Sequence, residues 1–140
     1  MGIRIATQSL ARMKRKVKGL TRRSQGKGWT EVRDNLSRSV VGWVNYYALA
    51  DAGNHMEQLD EWMRRRMRQM AWKQWKTPKN RYRQLKRRGV TEYWAIRAGG
   101  TSKGVWRLSK SPPLHKALGK GYWRKVGLVS FSQQYELRRT

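Results

Sequence analysis

The sequence predicts a mainly α fold, a small domain of about five to seven helices joined by basic loops. Apolar residues recur at steps of three and four in several segments, and Gly or Pro residues separate those segments from one another. No stretch alternates polar and apolar residues for long enough to suggest a sheet. With 140 residues, of which 38% are hydrophobic, the chain has material for one domain with a modest core.

Apolar stripes and their flanking residues predict the first two helices. A basic amphipathic helix is predicted over Thr7–Leu20, and a basic loop rich in Gly and Ser follows it as far as Gly28. Thr30 is the expected N-cap of the second helix, because a Thr side chain accepts a hydrogen bond from the free N–H groups of a first turn. The second helix is predicted to extend to about Ala50.

The third helix has the strongest pattern of the sequence. After a turn at residues 51–54, an apolar stripe follows one helix face until the pair Thr77 and Pro78, where the proline ends the helix. The stripe consists of Met56, Leu59, Met63, Met67 and Met70. The residues that we expect in the core are Trp43, Tyr47, Leu59, Met63 and Met67.

Shorter helices are predicted in the second half of the chain. A fourth helix is expected over Lys79–Arg88, where Gly89 ends it, and a fifth over Glu92–Ala98. A further short helix is expected over Pro112–Leu118, because proline suits a first helical turn. Residues 121–140 carry no pattern that assigns them to an element.

The charge balance points to a polyanionic partner. The chain has 33 Lys and Arg residues against 8 Asp and Glu residues, a formal net charge of +25. There is no acid between Glu61 and Glu92, whereas an ordinary solvated helix face interleaves both signs. Such a surface repels itself unless a polyanion neutralises it, and phosphate backbones are common polyanions. We therefore expect nucleic acid as the partner.

The expected phosphate-contacting residues fall into three groups. The main surface consists of Arg64, Arg65, Arg68, Lys73, Lys76, Lys79, Arg81 and Arg83. A Gly-rich loop contributes Lys103 and Arg107. The first helix and the loop after it contribute Arg12, Lys16, Arg22 and Arg23.

Aromatic residues interleave with this basic run and favour RNA over duplex DNA. They are Trp62, Trp72, Trp75, Tyr82, Tyr93, Trp94, Trp106, Tyr122 and Trp123. Aromatic rings stack on unpaired bases, which RNA loops and single strands provide. Packing in the core is the alternative role for each ring, and we expect one or two of them to face the ligand.

No catalytic, metal or cofactor site is expected from the sequence. The chain has no Cys, and the two histidines, His55 and His115, lie far apart without nearby carboxylates. A cluster of acids at residues 57–61 suggests either a metal site or helix-surface ion pairs. The ion pairs are favoured, because Asp60 and Glu61 each precede an Arg by four residues.

The N-terminus and the hydropathy pattern bear on location. Residues 1–6 do not resemble a signal peptide, and no stretch approaches the ~20 apolar residues that a membrane span needs. We expect a cytoplasmic protein of bacterial type or an organellar one, neither secreted nor bound to a membrane.

Several short motifs occur in an order and spacing that resemble one family. They are Gly-Trp-Val-Asn-Tyr-Tyr at residues 42–47, Leu-Asp-Glu-Trp at 59–62, Trp-Lys-Gln-Trp-Lys at 72–76, Gly-Val-Trp-Arg-Leu-Ser at 104–109, Ser-Pro at 111–112, and the run at 114–118. Together they resemble the maturase-specific domain, or domain X, of group II intron-encoded reverse transcriptase/maturase proteins. The resemblance divides the chain into a basic leading helix and flexible loop (1–29), a maturase-specific helical domain (30–130) and a C-terminal tail (131–140).

The resemblance implies a thumb-like helical domain that binds the intron's own RNA and helps it reach its splicing-competent fold. When a polymerase domain is attached, it also implies contact with a template-primer duplex. The polymerase motif Tyr-x-Asp-Asp is absent here, since Tyr47 is followed by a lone Asp51. The cysteine-bearing nuclease tail of some members is absent too.

The expected function is therefore that of a non-enzymatic RNA-binding maturase domain that assists group II intron splicing. Its expected partner is structured RNA, with no small-molecule substrate. One alternative is the thumb fragment of a reverse transcriptase that needs palm and fingers for activity. Another is a general basic nucleic-acid-binding protein, which would bind duplex DNA as well as structured RNA.

Overall fold

A computed structural model describes residues 4–22, 28–100 and 111–139. These residues form eight helices and contain no strand: α1 Thr7–Leu20, α2 Trp29–Tyr46, α3 Gly53–Trp75, α4 Pro78–Arg87, α5 Glu92–Gly99, α6 Pro112–Ala117, α7 Lys120–Lys125 and α8 Phe131–Arg139. The predicted mainly α fold is confirmed. The number of helices in the described residues, eight, exceeds the predicted five to seven. The difference arises because residues 121–140, which the sequence pattern left unassigned, include most of α7 and the whole of α8.

The observed helix ends show where local patterns suffice and where they fail. α1 has the predicted bounds, but the N-cap of α2 is Gly28, so the prediction of Thr30 as the cap was wrong. α2 ends at Tyr46 instead of near Ala50. Beyond Tyr46 the Ala48 N–H bonds to the Asn45 carbonyl and the Ala50 N–H to the Tyr47 carbonyl, each three residues back, so the chain continues in tight turns and not as α-helix.

The turn between α3 and α4 lies where the sequence predicts it. α3 ends at Trp75, and Lys76 has a left-handed backbone with φ of 60° that reverses the chain. The Thr77 hydroxyl then accepts a hydrogen bond of 3.2 Å from the Asn80 N–H, and Pro78 occupies the first turn of α4. Gly89, with φ of 88°, follows the end of α4 in the conformation that glycine adopts without strain.

The chain divides into two compact units, residues 1–63 with 127–140 and residues 64–126. The boundary falls within α3, between Met63 and Arg64.

In the first unit, α2 packs against α1 and α8. Its buried residues Val32, Leu36, Val40 and Val44 recur every four positions, and α1 contributes Met13 and Val17. Burying each side chain of this size stabilises the fold by about 1.5–3 kcal/mol. Leu59 and Met63 of α3 are buried as predicted, and so is Met67 in the second unit, but Trp43 and Tyr47 of α2 are only half-buried and lie at the edge of the core.

The start of α8 is held by an acid of α3. Asp60 is 5% exposed, and its carboxylate accepts hydrogen bonds from the Phe131 N–H (2.6 Å), the Ser132 N–H (3.1 Å) and the Ser130 hydroxyl (2.8 Å). The Ser130 hydroxyl also accepts from the Gln133 N–H, at 3.2 Å. Asp60 is thus a capping residue of α8, not the exposed surface ion-pair partner that its spacing to an Arg suggested.

In the second unit, α4 packs closely on α5. Leu85 and Ala95 are fully buried, as are Trp72 of α3 and Leu114 of α6. A Cβ on Gly99 would lie 3.1 Å from the Pro78 carbonyl oxygen, so the absence of a side chain there allows the two helices to approach.

Candidate nucleic-acid interface

The outer side of α4 carries a stripe of exposed cations. Lys79, Arg83, Lys86 and Arg87 are exposed and recur at steps that keep them on one side of the helix, whereas Leu85 points inward and is fully buried. α4 contains no acid. We call these four residues the α4 basic face.

Cations in the second half of α3 are less exposed than those of α4. Arg64, Arg65 and Lys73 are half-buried. Arg68, which the sequence placed on the phosphate surface, is 5% exposed, and its burial, together with the charges of Arg64 and Arg65, lowers its pKa to about 10. Its exposed surface is therefore too small for it to be a main contact of a surface ligand.

Arg81 faces into its own unit although it lies on α4. Its Nε–H donates to the Trp72 carbonyl oxygen at 3.1 Å, and its guanidinium lies 4.6 Å from the centre of the Trp72 ring. Burial lowers its pKa from the ordinary value. The last carbonyls of a helix lack partners within the helix, so Arg81 satisfies one of them and joins α3 to α4.

Arg88 is held in a similar way at the end of α4. Its Nη1 donates to the side chain of Gln84 at 2.6 Å. Its guanidinium lies 5.1 Å from the ring centre of Trp75 and 5.4 Å from that of Tyr122. Arg88 therefore holds α4 and α7 against the end of α3.

Glu92 is the single acid in the sequence of the second unit. Its carboxylate accepts a hydrogen bond of 3.2 Å from the Tyr82 hydroxyl. Lost hydration, together with the hydrogen bond to Glu92 and the charge of that carboxylate, raises the pKa of Tyr82. Glu92 thus accepts a hydrogen bond from a neutral hydroxyl. α4 itself contains no acid that could pair with the α4 basic face.

The remaining predicted contacts lie elsewhere along the chain. Lys76 is exposed in the turn before α4. Arg12 and Lys16 are exposed on α1, and Arg22 is exposed beyond its end. The predicted contacts that lie outside the described residues are Arg23, Lys103 and Arg107.

The aromatic residues divide into packed and open rings. Trp72 and Trp123 are buried, and Trp62, Trp75, Tyr82 and Tyr122 are half-buried. Tyr93 and Trp94 of α5 are exposed, and Trp106 lies outside the described residues.

Tyr46 is a further exposed ring, 82% exposed, that the sequence-based set of aromatic residues did not include. The signal was present in the spacing, because the buried positions of α2 continue to Val44 and a residue two positions further faces the opposite side.

Neither a cluster of metal-ligating side chains nor a membrane-spanning helix is found in the ranges 4–22, 28–100 and 111–139. No group of three or more His, Asp or Glu side chains is placed to hold a metal ion there. No helix within those ranges is long and apolar enough to cross a membrane.

These features define a class, a small helical domain with a strongly cationic surface. The family model for the group II intron, maturase-specific domain matches residues 10–94, more than half of the chain, from α1 to α5. The chain belongs to this family, and the matched domain is the maturase-specific one, not a catalytic one. The motifs at residues 104–118 lie beyond the matched segment. A search of curated proteins finds no significant match.

Proposed function

We propose that this domain binds folded group II intron RNA and assists splicing by stabilising that fold, without supplying chemistry of its own. The α4 basic face carries the proposal, because it presents four exposed cations on one side of a helix without an acid. Membership of the maturase-specific family supports intron RNA as the partner.

The physical basis is the release of counterions. A folded RNA packs phosphates closely, and each phosphate that a Lys or Arg neutralises releases a condensed cation into solution. The α4 basic face supplies four exposed cations for this purpose. They therefore lower the repulsion between RNA strands while binding RNA with an affinity that falls steeply with salt.

The inward cations have a separate part in this proposal. Arg81 and Arg88 lie against the protein's own backbone and rings, and Arg68 is buried, so we assign these three to shaping the surface and not to phosphate contact. The main phosphate surface is then the α4 basic face together with Lys76 and the half-buried Arg64, Arg65 and Lys73.

A charge-matched pair of variants tests the proposal. We expect the triple substitution Lys79→Gln, Arg83→Gln, Lys86→Gln to weaken binding to a group II intron RNA. A plot of log affinity against log salt has a negative slope, and this slope should become shallower by about 0.7–0.9 for each phosphate that the variant no longer neutralises. The control, Lys120→Gln, Arg124→Gln, Lys125→Gln, removes three exposed cations of α7 in the same unit. Filter-binding titrations at several salt concentrations measure both variants.

Splicing provides the second measurement of the same variants. At a magnesium concentration where the intron alone splices poorly, the wild-type protein should raise the yield of spliced RNA, and the α4 variant should raise it less. An unchanged salt slope in the α4 variant would refute the proposed surface. An equal reduction in both variants would indicate a general polycation, and duplex DNA would then compete as well as intron RNA.

A further inference from the structure

A cleft of about 400 Å³ lies between α1 and α2 in the first unit. Its lining includes Ser9, Arg12 and Lys16 of α1 and Trp43, Tyr46 and Tyr47 at the end of α2. The volume is in the range of small-ligand pockets, ~300–1,000 Å³. The lining thus combines cationic and aromatic side chains and contains no acid.

The rings of the cleft form a series that leads from the core to the surface. Phe131 is fully buried, and the Trp43 ring meets its edge with a centroid distance of 5.9 Å. Tyr47 follows at 4.9 Å from Trp43, and Tyr46 at 4.9 Å from Tyr47. Tyr46, the outermost ring, is 82% exposed. Its inner neighbours are packed, so the cleft presents an open ring on a fixed support.

Polar contacts hold the inner wall in place. The Tyr47 hydroxyl donates to the Ser9 hydroxyl oxygen at 2.9 Å, which ties the end of α2 to α1. The Arg12 Nη2 donates weakly to the same oxygen, at 3.4 Å. Lys16 lies one helical turn beyond Arg12 on the same side of α1. Both cations are therefore beside the rings before any ligand binds.

This arrangement selects for an anionic ligand with a flat ring. A metal ion or a cationic ligand is disfavoured, because the lining has two cations and no carboxylate. A purely apolar ligand would leave both charges without an ion partner. A nucleotide satisfies both halves of the cleft, since its base stacks on an aromatic ring and its phosphates attract cations.

We propose that this cleft binds one unpaired nucleotide of an RNA strand, whose base stacks on Tyr46 and whose phosphates contact Arg12 and Lys16. The proposal rests on the proposed function for its ligand, because it assigns one site within RNA binding. It also gives α1 and the end of α2 a role distinct from that of the α4 basic face: they recognise an unpaired base, whereas α4 neutralises backbone charge.

Two RNAs of equal charge separate these roles. The first is a hairpin with 2-aminopurine in an unpaired loop, and the second is a blunt duplex with the same number of phosphates. We expect Tyr46→Ala to weaken binding of the hairpin about 10- to 100-fold and to leave the duplex affinity unchanged. The quenching of 2-aminopurine fluorescence by the wild-type protein, which reports stacking, should disappear. Tyr46→Phe keeps the ring and should keep both properties.

Leu49→Ala is the matched control, because Leu49 is 88% exposed, lies three residues beyond Tyr46 and does not line the cleft. It should leave both RNAs bound as before. The cations are tested with Arg12→Gln and Lys16→Gln together, which should lower the salt slope for the hairpin. Melting curves by circular dichroism should show that each variant folds as the wild type does.

The outcomes distinguish failure of the cleft from failure of the proposed function. If Tyr46→Ala binds the hairpin as tightly as the wild type, or weakens the duplex equally, the cleft is not a nucleotide site, while RNA binding through α4 stands. If the wild-type protein does not bind group II intron RNA in the filter-binding titration, the proposed function fails and the cleft proposal fails with it.

Discussion

At the scale of single residues, the cations of this chain lie in two kinds of surroundings that the sequence does not distinguish. Arg81 and Arg83 lie two positions apart on α4, and the sequence placed both on the phosphate surface. The structure turns Arg81 toward the Trp72 ring and carbonyl and leaves Arg83 exposed. A run of charges in the sequence therefore shows how many cations a helix carries. Which of them are exposed depends on the rings and carbonyls that the fold brings near them.

The pair gives a prediction at this scale. Arg81→Gln should lower the free energy of unfolding by about 1–2 kcal/mol, because it removes a cation–π contact and a hydrogen bond to a helix-terminal carbonyl. Its effect on the salt dependence of RNA binding should be small. Arg83→Gln should have the opposite profile, with unchanged stability and a shallower salt slope. Urea denaturation and filter binding measure the two properties, and identical profiles for the two variants would contradict the assignment.

At the scale of elements, helices with a strong local pattern were predictable and their ends less so. α1 and the α3–α4 turn follow from apolar spacing and from Thr77, Pro78 and Gly89, which act within a few residues. The sequence leaves α8 unassigned, and it does not show that the start of this helix contacts Asp60, some seventy residues earlier in the chain. Ser130 and Gln133 have the Ser-x-x-Gln spacing of a capping box, a local signal that would have predicted its start.

Removing the Asp60 carboxylate tests how α8 is attached. Asp60→Ala should destabilise the first unit by about 2–3 kcal/mol, because it leaves buried donors at the start of α8 without their acceptor. Amide hydrogen exchange should increase in α8 more than in α4. Glu57→Ala is the control, since Glu57 is an exposed acid one turn earlier on α3. Equal exchange of α8 in both variants would show that Asp60 does not hold this helix.

At the scale of the whole molecule, the spacing of apolar residues predicted the helical fold, but not the division into two compact units. The division was not predictable because α3 runs through the boundary without a Gly or Pro to mark it. The cleft of the first unit was equally hidden. It combines Arg12 and Lys16 with a ring some thirty residues later, and only the packing of α1 on α2 brings them together.

The net charge of +25 leads to a prediction for the free protein. Cations held close together repel one another more in the folded chain than in the expanded unfolded chain, so screening them should favour folding. The Debye length falls from about 14 Å at 50 mM salt to about 4 Å at 500 mM, by the inverse square-root dependence on ionic strength. The melting temperature should therefore rise by several degrees over this range, about 3–5 °C for each kcal/mol of repulsion relieved. RNA binding should weaken over the same range, so salt acts on stability and on affinity in opposite directions.

Circular dichroism melts in KCl measure the effect of salt on stability. The variant Lys79→Gln, Arg83→Gln, Lys86→Gln should show a smaller rise in melting temperature because it carries fewer charges to screen. A melting temperature that stays constant or falls between 50 and 500 mM KCl would show that repulsion among these cations does not limit the stability of the fold.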